Sequence, residues 1–236
     1  MPCPLIQVFT KSPIVGTVKT RLTPPLSLEE ACQLHVELIR NTISVSQESK
    51  TTIQLWTTPP TDHPILTQYE PEIEVFQQFN GNLGDRMLDA LTQGLHGHDK
   101  VILLGTDCPG ITSERIHSAF RALENHDCVI NPVEDGGFSM IGVRQISPKI
   151  FSNIFWSSES VMKQMRVNLS ELQWSWLELP TLYDVDTPAD YARLTNEDER
   201  FIVTKKSSDT LDHRSVPESL HDIQNLDISK GIGSIS

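Results

Sequence analysis

The sequence predicts an α/β domain with a mostly parallel sheet, on three observations. Short apolar runs of strand length recur along the chain, at Leu5–Phe9, Val101–Leu104 and Phe138–Val143. Segments with apolar residues at helical spacing lie between the predicted strands. Turn-forming stretches rich in Gly, Pro and Asp follow several of the strands directly.

Each element has its own warrant. Leu5–Phe9 is a short run apolar but for Gln7 and reads as a buried strand. Pro13, Gly16, Pro24 and Pro25 keep Thr10–Pro25 irregular. Ser27 with Glu30 forms a capping box, and Ala31, Leu34, Leu38 and Ile39 supply the apolar stripe of a helix ending near Ser46. Thr52–Thr57 is a second strand, closed by Pro59-Pro60. Gly81 and Gly84 lead into a helix carrying Met87, Leu88 and Leu91, which stops at Gly94. Val101–Leu104 runs into Gly105-Thr106-Asp107-Cys108-Pro109, and a helix capped by Thr112 or Ser113 follows. Cys128–Ile130 and Phe138–Val143 are strands separated by Gly136-Gly137. A helix near Ser158–Val167, a strand near Trp176–Leu179 and a last helix to about Leu194 complete residues 1–202 as one domain. Residues 203–236 are polar, with isolated apolar residues, and are expected to form a flexible tail.

Composition narrows the partners. With 31 acidic and 19 basic residues the formal net charge is −12, which argues against nucleic-acid binding because that needs a positive surface. No stretch approaches a membrane span, and the first residues carry no basic leader, so a cytoplasmic location is expected. Cys3, Cys32, Cys108 and Cys128 lack metal-site or disulfide spacing and read as reduced thiols. His96 and His98 sit in a solvated turn.

In open α/β sheets, ligands bind beyond the carboxyl ends of the strands, and the unusual segments sit there. Lys11, Gly16, Lys19, Thr20 and Arg21 follow the first strand, a cationic loop suited to phosphate oxygens or, more plainly, an exposed basic loop. Asp107 follows the central strand, where it can ligate a hard cation such as Mg²⁺ or Mn²⁺ or simply cap a turn. In Asp184-Val185-Asp186-Thr187-Pro188 alternation puts both carboxylates on one side, where their repulsion calls for a nearby positive group, a metal being the economical one. Alternatively Asp186 or Thr187 caps the helix at Pro188. Asp135, before Gly136 and Gly137, is a candidate base or part of a plain turn. Gly84 and Arg86, with Trp156-Ser157, are candidates to line the site. Cys108 reads as a packing residue, as do Trp56, Trp174 and Trp176.

Together these segments resemble the DUF2064 family of GT-A-type nucleotide-diphospho-sugar transferases, a group associated with radical-SAM and selenodomain proteins. The matching residues are Phe9, Lys11, Pro13, Gly16, Val18-Lys19-Thr20-Arg21-Leu22, Leu83-Gly84, Arg86-Met87, Gly105, Asp107-Cys108-Pro109, Asp135-Gly136-Gly137, Trp156-Ser157 and Asp184-Val185-Asp186-Thr187, in the family's order. Phe138 stands where the family usually carries Tyr. The resemblance implies a GT-A fold, three-layer α/β/α, with Mg²⁺ or Mn²⁺ held by Asp107 together with Asp184 or Asp186. It implies a nucleotide-sugar donor and a small-molecule acceptor, in some members in arsenosugar biosynthesis. The expected activity is metal-dependent glycosyl transfer, with Asp135 as base. Nucleotidyl transfer with pyrophosphate release is the alternative, because the first loop and the Asp-Val-Asp turn also look like those of nucleotidyltransferases. A non-catalytic nucleotide-binding protein is a third reading.

Overall fold

The computed structural model describes residues 3–203, so the expected tail lies outside the described residues except for Val203. The order of elements is β1 (Leu5–Thr10), α1 (Leu28–Glu48), β2 (Thr52–Thr57), α2 (Pro64–Thr67), β3 (Glu74–Gln77), α3 (Leu83–Leu95), β4 (Val101–Gly105), α4 (Ser113–Ala122), β5 (Cys128–Pro132), β6 (Phe138–Val143), α5 (Val161–Glu171), β7 (Trp176–Glu178) and α6 (Pro188–Glu197). The strands form a seven-stranded sheet in the order β3-β2-β1-β4-β6-β5-β7. β1 pairs in parallel with β2 and β4, β2 with β3, and β5 with β7. β6 pairs antiparallel with both β4 and β5, so it alone is reversed in a parallel sheet.

The period of two along β1 builds the three layers. Ile6 and Val8 point to a core shared with Ile39 and Ile43 of α1 and Ile116 and Ala119 of α4. Leu5 and Phe9 point to the opposite core, with Met87, Ala90 and Leu91 of α3 and Met162, Met165 and Leu169 of α5. Both faces of β1 are therefore covered, which is why its sequence is nearly continuous in apolar residues. Its exception is Gln7, buried among the α3-side residues, where Nε2 donates to Ala90 O at 2.7 Å and to Gln54 Oε1 at 3.1 Å. A third apolar cluster joins Leu22, Leu34 and Leu38 to Tyr183, Val185 and Leu194. This cluster matters most for the site. It seats the loop after β1 and the turn before α6 on one surface.

Local signals account for the helix starts. Ser27 accepts from Glu30 N and Glu30 answers to Ser27 N, the predicted capping box. Asn82 with Asp85 repeats the device for α3, and Thr187 with Asp190 for α6. Thr187, not Asp186, is thus the cap of the last helix, and Thr112 is the cap of α4.

Several boundaries differ from expectation. α5 starts at Val161, because Ser158 Oγ turns back to Phe155 O at 2.6 Å and the backbone there is not yet helical. α2 and β3 were not anticipated. β3 is an edge strand with no fully buried residue, so it carries no apolar run to reveal it. Ser27→Ala should cost about 1 kcal/mol and lower the melting temperature by about 2–4 °C, read by thermal and denaturant unfolding.

Candidate active site

Beyond the carboxyl ends of β1 and β4, and beside the β5–β6 turn, lies a cleft of about 820 Å³. Lys11, Lys19, Thr20, Arg21, Arg86, Asp107, Asp135, Gly137, Asp184 and Asp186 all line it. These come together from both ends of the domain, whereas Gly16, Gly84 and Gly136, also singled out in sequence, do not line the cleft.

Lys19 is the centre of the arrangement. Its backbone is left-handed, at φ 50° and ψ 30°, immediately before a single 3₁₀ turn at Thr20–Leu22. Val18 and Leu22 are buried on either side. That geometry sends the side chain inward, where only 4% of it is exposed. Nζ donates to Val185 O at 2.7 Å and to Asp186 Oδ1 at 3.0 Å. It also forms an ion pair with Asp107 Oδ1 at 2.8 Å. Burial acts to lower the lysine pKa, but the Coulomb attraction of Asp107 and Asp186 outweighs it and holds the pKa above the ordinary value.

Lys19 stands beside Asp107 and Asp186, while Asp184 and Asp186 still repel each other. The sequence reading put a metal between the aspartates. The structure puts the Lys19 ammonium between Asp107 and Asp186. Among the described residues no group of three or more His, Cys, Asp or Glu side chains is arranged to hold a metal, so the expected set of Asp107, Asp184 and Asp186 is not assembled as three ligands. Lys19 likewise points at carboxylates, not into open space as a free phosphate ligand.

Asp107 is half-buried, with 48% of its side-chain surface exposed. Burial opposes its ionisation, but Lys19 first and His35 second hold its carboxyl below the usual range. His35, buried in α1, was not foreseen. It lies on the helix's apolar side, next to Leu34, which in sequence reads as packing. Its Nε2 is 3.0 Å from Lys11 O, and burial holds its pKa below the ordinary value.

Asp184 and Asp186 both line the cleft while Val185 between them is fully buried, as alternation requires. Their environments differ. Asp186 meets Lys19, with Arg21 Nη1 at 4.0 Å from its second oxygen. Asp184 is raised to about 6 by burial, then by the charges of Asp135 and Asp186. Asp135 is exposed, and its Oδ1 accepts the Gly137 N–H at 2.8 Å, so the plain-turn reading holds for one of its two oxygens.

The glycines are positioned by close approach. Gly136 has φ +87°, and an added Cβ would stand 2.7 Å from Glu159 Cα. Gly84 is covered by Trp156, whose Cζ2 would be 2.8 Å from such a Cβ. Gly16, with φ +81°, shapes the basic loop. Arg86 Nη1 reaches Gln78 Oε1 at 3.3 Å, and Gln78 in turn donates to Thr10 O at 2.9 Å and Trp56 O at 3.0 Å. Gln78 was missed because one polar residue beside an edge strand carries no periodic signal. Cys108 is buried, and burial pushes its thiol up to about 11, consistent with packing. Lys11 and Arg21 are left exposed at the mouth, Arg21 with 74% of its side chain accessible.

The donor set suits a hard divalent cation. Lys19 engages Oδ1 of Asp107 and Oδ1 of Asp186, which leaves each carboxylate its Oδ2 for a cation. Two carboxylates completed by water and phosphate oxygens are ordinary for Mg²⁺.

Two predictions follow from the local energetics. Gly136→Ala should destabilise the protein by roughly 2 kcal/mol or more, measured by denaturant unfolding, because both the left-handed backbone and the Glu159 contact oppose a side chain. Asp184 binds its proton more tightly folded than unfolded. Its contribution therefore favours the folded state at low pH and fades as pH rises through about 6. Asp184→Asn should remove that dependence and raise stability near pH 8 by up to about 1 kcal/mol after solvent screening, as a titration of melting temperature would show.

The family described as "Uncharacterized protein conserved in bacteria (DUF2064)" matches residues 42–158. A crystal structure from Desulfovibrio desulfuricans G20, provisionally named a nucleotide-diphospho-sugar transferase, superposes with a TM-score of 0.77 at 27% identity, covering 85% of this chain and 91% of that one. CMP:2-keto-3-deoxy-manno-octonic acid synthetase complexed with CTP gives a TM-score of 0.57 at 10% identity, covering 85% of this chain and 100% of that one. Rv0371c from Mycobacterium tuberculosis H37Rv, in complex with manganese, gives 0.53 at 13%, covering 83% and 98%. At those identities the last two show the shared fold alone. No curated protein matches the sequence.

Proposed function

We propose that this chain, whose residues 42–158 match the DUF2064 family, is a metal-dependent glycosyltransferase taking a nucleotide-diphospho-sugar donor and a small-molecule acceptor. One observation carries the reading: two exposed cationic side chains, Lys11 and Arg21, face the same cleft as the carboxylate pair Asp107 and Asp186. Positive groups at the mouth and hard oxygens beneath them suit a diphosphate bound through a divalent cation. The name of the 27%-identical relative supports the donor class.

Lys11 and Arg21 take phosphate oxygens, Arg21 with a fork able to bind in bidentate fashion. The backbone of the Gly16–Thr20 turn bounds the same loop. Asp107 and Asp186 are the residues that would hold Mg²⁺ or Mn²⁺, with Asp184 beside them. A cation there supplies neutralisation of the diphosphate's charge when bound. Trp156, packed over Gly84, and Arg86, tied to Gln78, form the wall on the α3 side. Gly137 lines the cleft and lets the backbone approach the ligand closely, while Gly136 packs against the Glu159 backbone. Asp135 retains one oxygen free of the turn and accepts the proton of the acceptor hydroxyl. The acceptor oxygen then bonds to the sugar's anomeric carbon, and the bond from that carbon to the diphosphate breaks, its electron pair leaving with the nucleoside diphosphate. An arsenosugar precursor is one member of the acceptor class.

A second reading is nucleotidyl transfer. The engagement of Asp135 Oδ1 by Gly137 N favours it, since a phosphate-bearing acceptor is already ionised and needs no base. In the third reading, nucleotide binding without catalysis, the cleft would hold donor with no turnover.

Incubation with panels of sugar nucleotides and nucleoside triphosphates, with Mg²⁺ or Mn²⁺, separates them. Release of nucleoside diphosphate from a sugar nucleotide is expected. Pyrophosphate release from a triphosphate would sink the glycosyltransferase reading, and binding without turnover would support the third. Arg21→Ala should weaken donor binding about tenfold, roughly 1.4 kcal/mol, and Asp107→Ala should abolish cation-dependent turnover, both measured with whichever donor is consumed.

A further inference from the structure

We propose that Lys19 is a resident counter-cation for the carboxylate pair, so that the site takes a divalent ion together with a nucleoside diphosphate and resists the bare ion. The inference rests on the reading that Asp107 and Asp186 face a donor's phosphates. Three observations carry it.

The first is occupancy of the space between the carboxylates. The ammonium lies 2.8 Å from Asp107 Oδ1 and 3.0 Å from Asp186 Oδ1, and its side chain is 4% exposed. A free divalent ion approaching the remaining oxygens meets a fixed positive charge on the same two ligands. Like charges in a partly desolvated site repel more strongly than in water.

The second is that this charge is not free to leave. Nζ is anchored by Val185 O at 2.7 Å, and the backbone of Lys19 is held left-handed between buried Val18 and Leu22. The position of the ammonium is thus set by the fold, whereas a solvated lysine would swing away as the ion entered.

The third is the charge near the mouth. Lys11 and Arg21 are exposed there, so cations face the cleft from two levels. An incoming diphosphate supplies negative charge that offsets the exposed Lys11 and Arg21, which the carboxylates beneath leave free. A cation arriving already bound to that diphosphate is therefore favoured over one arriving alone. Lys19 keeps a second task, holding the Asp107 and Asp186 segments together when no ligand is present.

Equilibrium dialysis against Mn²⁺, reading bound metal and bound nucleotide separately, tests this with the wild type, Lys19→Met and Lys19→Arg. Each is measured with and without a mixture of nucleoside 5′-diphosphates. The wild type should bind Mn²⁺ at least tenfold more tightly when diphosphates are present. Lys19→Met should bind bare Mn²⁺ at least tenfold more tightly than the wild type, and Lys19→Arg, which keeps the charge, should resemble the wild type. In chelator Lys19→Met should melt lower, with Mn²⁺ restoring more of the loss than it adds to the wild type. Equal or weaker binding of bare Mn²⁺ by a natively folded Lys19→Met overturns the inference alone. Tight binding of bare Mn²⁺ by the wild type does so too, and that arm needs no variant to fold. A wild type that binds neither diphosphate nor Mn²⁺ under any condition overturns the functional reading, and the inference with it.

Discussion

The Lys19 ammonium, set between Asp107 and Asp186, is the interaction on which the rest of the cleft depends. It joins three segments far apart in sequence: the loop after β1, the end of β4 and the turn before α6. A lysine buried this deeply is unfavourable unless its charge is compensated, and two carboxylates with a backbone carbonyl provide the compensation. The carboxylates need Lys19 as much as it needs them. Asp184 is pushed up to about 6 by burial first, and then by the charges of Asp135 and Asp186.

The fold makes this possible through the crossovers of the sheet. β1 and β4 are neighbours, so the loops leaving their carboxyl ends open into the same crevice. The reversed strand β6 is what brings the Asp135–Gly137 turn to that end as well, since a strand entering from the opposite side must begin where β4 ends. The apolar cluster of Leu22, Leu34, Leu38, Val185 and Leu194 then fixes the heights of the two outer segments. Polar chemistry at the surface of the cleft is held in place by packing underneath it.

Much of this was legible in the sequence. Apolar runs at Leu5–Phe9 and Phe138–Val143 named their strands because both faces of the sheet are covered there. The Ser27–Glu30 capping box and the alternation about Val185 are local, and local physics was enough to read them. Edge strand β3 escaped because a half-exposed strand has no apolar run. His35 and Gln78 escaped because a single polar residue beside a core element looks like any other until its neighbours are known.

The sequence by itself determined the alternation of strand and helix, the helix caps, and the set of charged and glycine residues available at the carboxyl ends of the strands. Those follow from contacts within a few residues, where spacing and side-chain type are sufficient. Only the tertiary structure decided which positive group stands between the aspartates. That choice depends on the left-handed backbone at Lys19, on burial of Val18 and Leu22, and on a carbonyl 166 residues away in sequence. Coulomb attraction acts through space, so the partner of a charge is set by where the chain returns to, a distance that residue order does not contain.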